Sequence, residues 1–161
     1  MVVGMVSWNE LEQREPELAA QVRTIFDRHV HKTMATLRAD GAPRISGTEV
    51  DFHGGEAWLG SMWQARKALA LLRDPRVAIH SALGDLEGDD TGDAKIAGRA
   101  LAVDDPAEIA RVAEKAPPGP FHLFRLDIDE VVVATIGGDP PDHMVIDFWT
   151  EAGGRHTERR A

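Results

Sequence analysis

The octapeptide GSMWQARK at residues 60–67 sets the hydroxyl of Ser61 five residues ahead of two adjacent cations, Arg66 and Lys67. A bound phosphate needs convergent donors: backbone N–H groups at a helix start, a hydroxyl and cationic side chains. A strand ending near Ser61 and a helix starting near Arg66 would supply all three within one turn. Taken alone, an adjacent Arg and Lys more commonly form the solvated face of a short helix. Two other groups bear on the choice. Arg44 begins the extended segment before the one that ends at Ser61, and in an antiparallel meander it would lie beside the same turn. Near the C-terminus, FWTEAGGRHTERR places Trp149, Arg155 and Arg159 at spacings of six and four. By itself that stretch reads equally well as a frayed basic tail with one amphipathic Trp.

The elements that must hold these residues follow from periodicity and turn chemistry. Ser7 and Glu10 form a capping-box pattern, Pro16 suits a first turn, and Leu18, Val22, Ile25 and Phe26 share a face, so residues 8–30 are expected to be largely helical. Three extended segments follow over residues 31–62, separated by Asp40-Gly41 and by His53-Gly54-Gly55, the pattern of an antiparallel meander. From Trp63 to Arg73 the apolar Ala65, Ala68, Leu69 and Leu72 recur at helical spacing until Asp74-Pro75 stops the run. RVAIHSAL and AKIAGRALAV read as strands on either side of an acidic, glycine-rich loop. A helix starts at Asp105-Pro106, with Ile109, Val112, Ala113 and Ala116 as its buried face, and APPGP breaks it. FHLFRLDIDEVVVATI and HMVIDFWTE form the closing strands. Many short strands joined by tight turns indicate a small antiparallel barrel, mainly β within the α+β class. One domain of 161 residues is expected: a helical segment over 1–30, the barrel over 31–150 and a tail over 151–161.

Composition narrows the partners. With 18 Lys and Arg against 27 Asp and Glu, the net charge of -9 repels nucleic acid and anionic membrane surfaces, and no basic stripe is present to overcome it. A small anion needs only a local basic pocket. No apolar run approaches the roughly 20 residues of a spanning helix. The start MVVGMVSWNELEQRE turns acidic too early for a signal peptide, which makes the cytoplasm the expected location. The absence of cysteine removes thiolate nucleophiles and thiolate-bound metals.

Arg44, the Ser61–Arg66–Lys67 turn and the Phe148-Trp149…Arg155…Arg159 ending together resemble the pyridoxamine 5'-phosphate oxidase-like superfamily over residues 31–159. The resemblance implies a six-stranded antiparallel split barrel with flanking helices, paired into a homodimer that holds FMN at its interface. By the same resemblance Arg44, Ile45, Ser46, Gly60, Ser61, Arg66 and Lys67 would bind the cofactor. Trp149 and Arg159 would reach the flavin of the partner subunit, and Arg155 a small-molecule substrate. No catalytic residue is assigned. RKALALLRDPRVAIH, a short helix followed by Asp-Pro and a strand, continues the family's pattern.

The departures concern the substrate. Glu49 stands where the oxidase has a Lys for the substrate phosphate, Thr157 where it has a His, and the chain contains no Tyr. The resemblance therefore implies a retained cofactor site and a lost pyridoxal-phosphate pocket. An FMN-dependent oxidoreductase of unknown substrate is the leading reading. The first alternative is a reductase using the deazaflavin F420, whose acidic tail would call on Arg155, Arg159 and Arg160. The second is a flavin- or haem-binding carrier without turnover, for which no sequence feature selects one of the seven histidines.

Other features carry less. Asp85, Glu87, Asp89, Asp90 and Asp93 lack the terminal Glu and flanking helices of a calcium loop, so no metal site is expected. His29 and His31 read as one buried edge residue and one surface residue. Trp58 and Trp63 are large enough to flank a flavin ring but read first as core side chains.

Overall fold

A computed structural model describes residues 4–84, 92–114, 116 and 118–161. The chain opens on two helices, α1 (Trp8–Arg14) and α2 (Pro16–Asp27). Ser7 caps α1 through a reciprocal pair, the Glu10 N–H donating to Ser7 Oγ at 3.2 Å and the Ser7 N–H to the Glu10 carboxylate at 2.8 Å. The expected single helical run breaks at Glu15, because Pro16 has no N–H to continue α1 and instead starts α2. Leu18, Val22, Ile25 and Phe26 are all buried, as their spacing requires.

Among the described residues, nine strands make one antiparallel sheet: β1 (Lys32–Leu37), β2 (Pro43–Thr48), β3 (Asp51–His53), β4 (Glu56–Met62), β5 (Arg76–His80), β6 (Asp93–Ala102), β7 (Phe121–Gly137), β8 (His143–Thr150) and β9 (Gly154–Arg160). Helix α3 (Arg66–Arg73) follows β4, and α4 (Pro106–Val112) follows β6. Six strands run in the order β2-β1-β5-β6-β7-β4, with β3 added beyond β4 and the β8–β9 hairpin on the far half of β7. β2 and β4 approach each other without joining ladders, which leaves the barrel split. Trp8, Leu11, Leu18 and Phe26 from the helices meet Met34, Leu59, Ile79, Ile96, Phe124 and Ile128 from the strands in the core. Burying each such side chain contributes about 1.5–3 kcal/mol.

Several expectations change in three dimensions. The segments over 31–62 are not a simple meander: Glu49-Val50 divides the second into β2 and β3, and β4 pairs with β3 and β7 rather than β2. The tail is strand β9, paired with β8 from Met144↔Arg160 to Thr150↔Gly154. Helix α3 starts at Arg66 rather than Trp63 and buries Ala68, Ala70 and Leu71, whereas Leu69 and Leu72, expected on its apolar face, are exposed. Helix α4 has no buried residue; Ile109, Val112 and Ala113 are half-buried. His29 is exposed, not buried. Asp85, Glu87, Asp89 and Asp90 lie outside the described residues, and among the described residues no cluster of His, Asp and Glu is arranged to hold a metal. No described helix is long and apolar enough to cross a membrane.

The stop after α3 carries a pH dependence. The Asp74 carboxylate accepts from Arg76 Nη2 at 2.6 Å and from Nε at 3.0 Å. Those side-chain bonds, with the Arg76 backbone N–H second, hold its pKa at about 2 against an ordinary 3.8. A carboxyl depressed in the folded state adds stability above its unfolded pKa and loses it as pH falls through the folded one. The variant Asp74→Asn should therefore be less stable than the parent at neutral pH in urea melts. The gap should close between about pH 4 and pH 2.

Candidate functional site

β4 ends at Met62, and the chain reverses through Trp63, Gln64 and Ala65 before α3 begins at Arg66. Gln64 takes a positive φ of 59°, uncommon for a residue with a Cβ, and its N–H donates to His122 Nε2 at 3.3 Å. That bond makes Nε2 of His122 the acceptor, which places the ring proton on Nδ1. The same ring stacks on Trp63 at 4.5 Å between centroids, with the planes 10° apart. His122 is also the cross-strand partner of Ser61. β7 thus clamps the strand-to-helix turn from its outer side, and Trp63, expected in the core, is 54% exposed.

Beside this turn lies a cleft of about 810 Å³. Its floor is formed by the end of β2 (Gly47, Thr48) with the following Glu49 and by the end of β4 (Gly60, Ser61), and one wall by Val112 of α4 with Phe121 and Leu123 of β7. Lys67 enters from the first turn of α3, its ammonium donating to the Gly47 carbonyl at 2.6 Å. Trp58, almost fully buried with its indole N–H donating to the His53 carbonyl at 3.0 Å, closes the base.

Two observations mark the cleft as a candidate ligand site. Ser61 Oγ is buried without a hydrogen-bond partner, a state that buried hydroxyls rarely keep. Gly47 and Gly60 sit in extended strands with no positive φ, and a Cβ on either would meet nothing within 4 Å. Glycine weakens a strand by roughly 0.5–1 kcal/mol relative to Ala, and neither backbone geometry nor a neighbour within this chain calls for it there. Open space over both glycines, an orphan hydroxyl and an ammonium together suit a flat aromatic ligand that carries a phosphate.

The cleft therefore gathers Gly60, Ser61 and Lys67. Arg66 is exposed on the first turn of α3 and, among the described residues, has no hydrogen-bond or ion-pair partner. Arg44, Ile45 and Ser46 lie on β2 ahead of the part that enters the cleft; Arg44 Nε is buried and unpartnered, and so is Oγ1 of Thr36 directly across the ladder. Ile45 is 75% exposed.

Trp149, Arg155 and Arg159 do not join them. β4 pairs with β7 around His122, whereas Trp149 pairs with Val131. The nine residue steps from His122 to Val131 span about 30 Å of strand path. Trp149 is 3% exposed and belongs to this chain's own core, whereas the resemblance implied a contact with the partner's flavin. Arg155, expected at a substrate, instead lies 3.2 Å from Asp147 and 3.8 Å from both Glu15 and Glu17, tying β9 to the α1–α2 junction. Arg160 pairs with Glu158 at 2.7 Å, and Arg159 is exposed. Gly47, the His122–Trp63 stack and the α4 wall were not singled out by sequence. A glycine inside an extended run, away from any turn dipeptide, was the signal available for Gly47.

A family model described as pyridoxamine 5'-phosphate oxidase matches residues 18–133. No curated protein matches the sequence significantly. Among solved structures, a pyridoxamine 5'-phosphate oxidase-related, FMN binding protein from Nostoc punctiforme is 16% identical with a TM-score of 0.60, the match covering 88% of this chain and 94% of that one. A heme binding protein from Mycobacterium smegmatis is also 16% identical with a TM-score of 0.60, over 90% and 88% of the two chains. PhzG from Burkholderia lata, solved with tetrahydrophenazine-1-carboxylic acid, is 14% identical with a TM-score of 0.58, over 94% and 90%. At these identities the likeness is one of fold.

Proposed function

The chain belongs to the pyridoxamine 5'-phosphate oxidase-like family, and from that premise we propose that it is an FMN-dependent oxidoreductase acting on a small molecule other than a pyridoxal phosphate. The observation that carries this reading is the unpartnered Ser61 hydroxyl beside Lys67 in a cleft floored by two bare glycines. Ser61 Oγ and Lys67 Nζ donate to the phosphate, Arg66 adds a second cation at the helix start, and Gly47 and Gly60 leave room for a ring against β2 and β4. Val112, Phe121 and Leu123 exclude water from one side. FMN, when bound, supplies the hydride chemistry, and no side chain of the protein need act as a general acid.

The separation of Arg159 from the Ser61 turn within one chain supports a homodimer, in which a second copy could bring Arg159 to the cofactor. Light scattering should give twice the chain mass. The first test of the whole reading is a fluorescence titration of purified protein with FMN and with F420, in which micromolar or tighter FMN binding is expected. Binding of neither would end the reading. For F420, Arg155 and Arg160 are already paired with carboxylates, and only Arg159 of the three remains exposed and unpaired among the described residues. One observation favours haem: His31 lines the cleft, with 83% of its side chain exposed. A Soret band in purified material, lost in His31→Ala, would establish that second reading in place of the first.

The glycine floor makes a separable prediction. In Gly60→Val the new Cβ has nothing within 4 Å in the empty protein and a β-branched residue suits a strand, so the melting temperature should hold or rise. The same side chain would overlap the cofactor, and an overpacking cost of about 1–3 kcal/mol corresponds to roughly tenfold or more in FMN affinity. Thermal melts alongside FMN titration of the variant check both halves.

A further inference from the structure

The charges lining the cleft are unevenly placed. Lys67, with its bond to the Gly47 carbonyl, occupies the end at Ser61. Beyond it the lining carries Glu49 and Asp51, and neither carboxylate has a hydrogen-bonded cation among the described residues. His31 approaches Glu49 at 3.7 Å and offsets its charge only when protonated. Lys32, a cation on which both carboxylates act, is buried, its ammonium donating to the His29 and Val30 carbonyls at 2.6 and 3.1 Å. Burial pushes its pKa down, while Asp27, Asp51 and Glu49 act in the opposite sense. Glu49 and Asp51 thus leave this part of the lining with net negative charge. A phosphate at the Lys67 end would deepen it. The same cleft is lined by the apolar Val112, Ala113, Pro118 and Phe121.

We propose that the open part of this cleft selects an organic cation, an apolar ring bearing a protonated amine, and rejects anionic substrates. The inference rests on the reading of the Ser61 end as the cofactor phosphate site and names the substrate class of that site. Two unit charges about 4 Å apart interact by about 1 kcal/mol even in water and more where water is partly excluded, so each carboxylate should favour a cation by about fivefold or more. Because the partners are solvent-facing, the preference should shrink with salt.

The experiment uses the full chain saturated with FMN and follows the flavin absorbance during titration with benzylammonium, benzyl alcohol and benzoate. Expected at low salt is benzylammonium binding at least about tenfold tighter than benzoate and tighter than benzyl alcohol, the margin falling in 0.5 M salt. In Glu49→Gln with Asp51→Asn, at FMN concentrations that saturate the variant, the three probes should bind alike. In Glu49→Lys the order of benzylammonium and benzoate should reverse. Equal binding of the three probes to the parent protein, or a preference that survives the double substitution, overturns the inference while leaving the FMN reading intact. Failure of the parent to bind FMN is seen before any probe is added; it defeats the cofactor reading, and the inference falls with it.

Discussion

Replacing Arg66 and Lys67 together by alanine is expected to weaken FMN binding by about a hundredfold, with little change in the far-ultraviolet circular dichroism. Each charge-assisted hydrogen bond contributes about 1.5–3 kcal/mol, so the loss of two amounts to about 3 kcal/mol or more. Arg66 is exposed and unpaired among the described residues, so its removal should cost no intrachain contact. Lys67 does hold the Gly47 carbonyl, and its loss loosens α3 from β2. A thermal melt separates the two effects, because an anchoring role predicts a large change in affinity with a small change in melting temperature. Unchanged FMN affinity would mean that GSMWQARK is an ordinary helix start and that Ser61 is buried for some other reason. Ser61→Ala gives the companion result: it removes the orphan hydroxyl, so the empty protein should hold its stability while the complex weakens.

Gly98→Ala should have the opposite signature, a large loss of stability independent of any ligand. β6 and β7 pair over ten residues of β6, and the register slips between Ala97 and Gly98, where Ala97 faces Glu130 but Gly98 faces Ile128. The slip leaves Asp129 unopposed, a bulge that draws the two backbones together at Gly98. A Cβ there would run into the Asp127 carbonyl oxygen and stand 2.9 Å from its carbon and 3.0 Å from the Ile128 Cα. These are backbone atoms, which cannot rotate aside. Overpacking of this kind costs about 3 kcal/mol, or roughly 10 °C in melting temperature for a chain of this length. Gly60→Ala is the control, since the same added methyl there meets open space. Equal melting temperatures for the two variants would show that the bulge can widen, and that the β6–β7 pairing tolerates what its spacing forbids.

The contrast between these two glycines marks how far the sequence can be read. In AKIAGRALAV, Gly98 stands inside a strand as Gly60 does in EAWLGSM, and nothing local separates a glycine kept for backbone approach from one kept for an empty cleft. Local signals were sufficient where the physics is local. The Ser7–Glu10 capping box, Pro16 at the start of α2, the buried face of Leu18, Val22, Ile25 and Phe26, and the Asp74-Pro75 stop depend on residues three or four apart, and they are in place. The strand-to-helix turn that brings Ser61 to Lys67 was likewise legible, because both ends lie within one octapeptide.

What failed depended on partners distant in the chain. A meander was inferred from turn dipeptides, but β4 found a better partner in β7, some sixty residues later in the chain, whose apolar face from Leu123 to Ile128 completes the core. Within one chain the ending that carries Trp149, Arg155 and Arg159 lies apart from the Ser61 turn. Pairing of β9 with β8 buried the Trp ring in its own chain and delivered Arg155 to Asp147, Glu15 and Glu17. By itself the sequence determined the fold class, the cap of α1, the buried face of α2 and the strand-to-helix turn between Ser61 and Arg66, each written in residues close enough to act on one another directly. Only the tertiary structure decided which strands adjoin, which charges are already neutralised and where open space remains, because those depend on which distant segments bury apolar surface together.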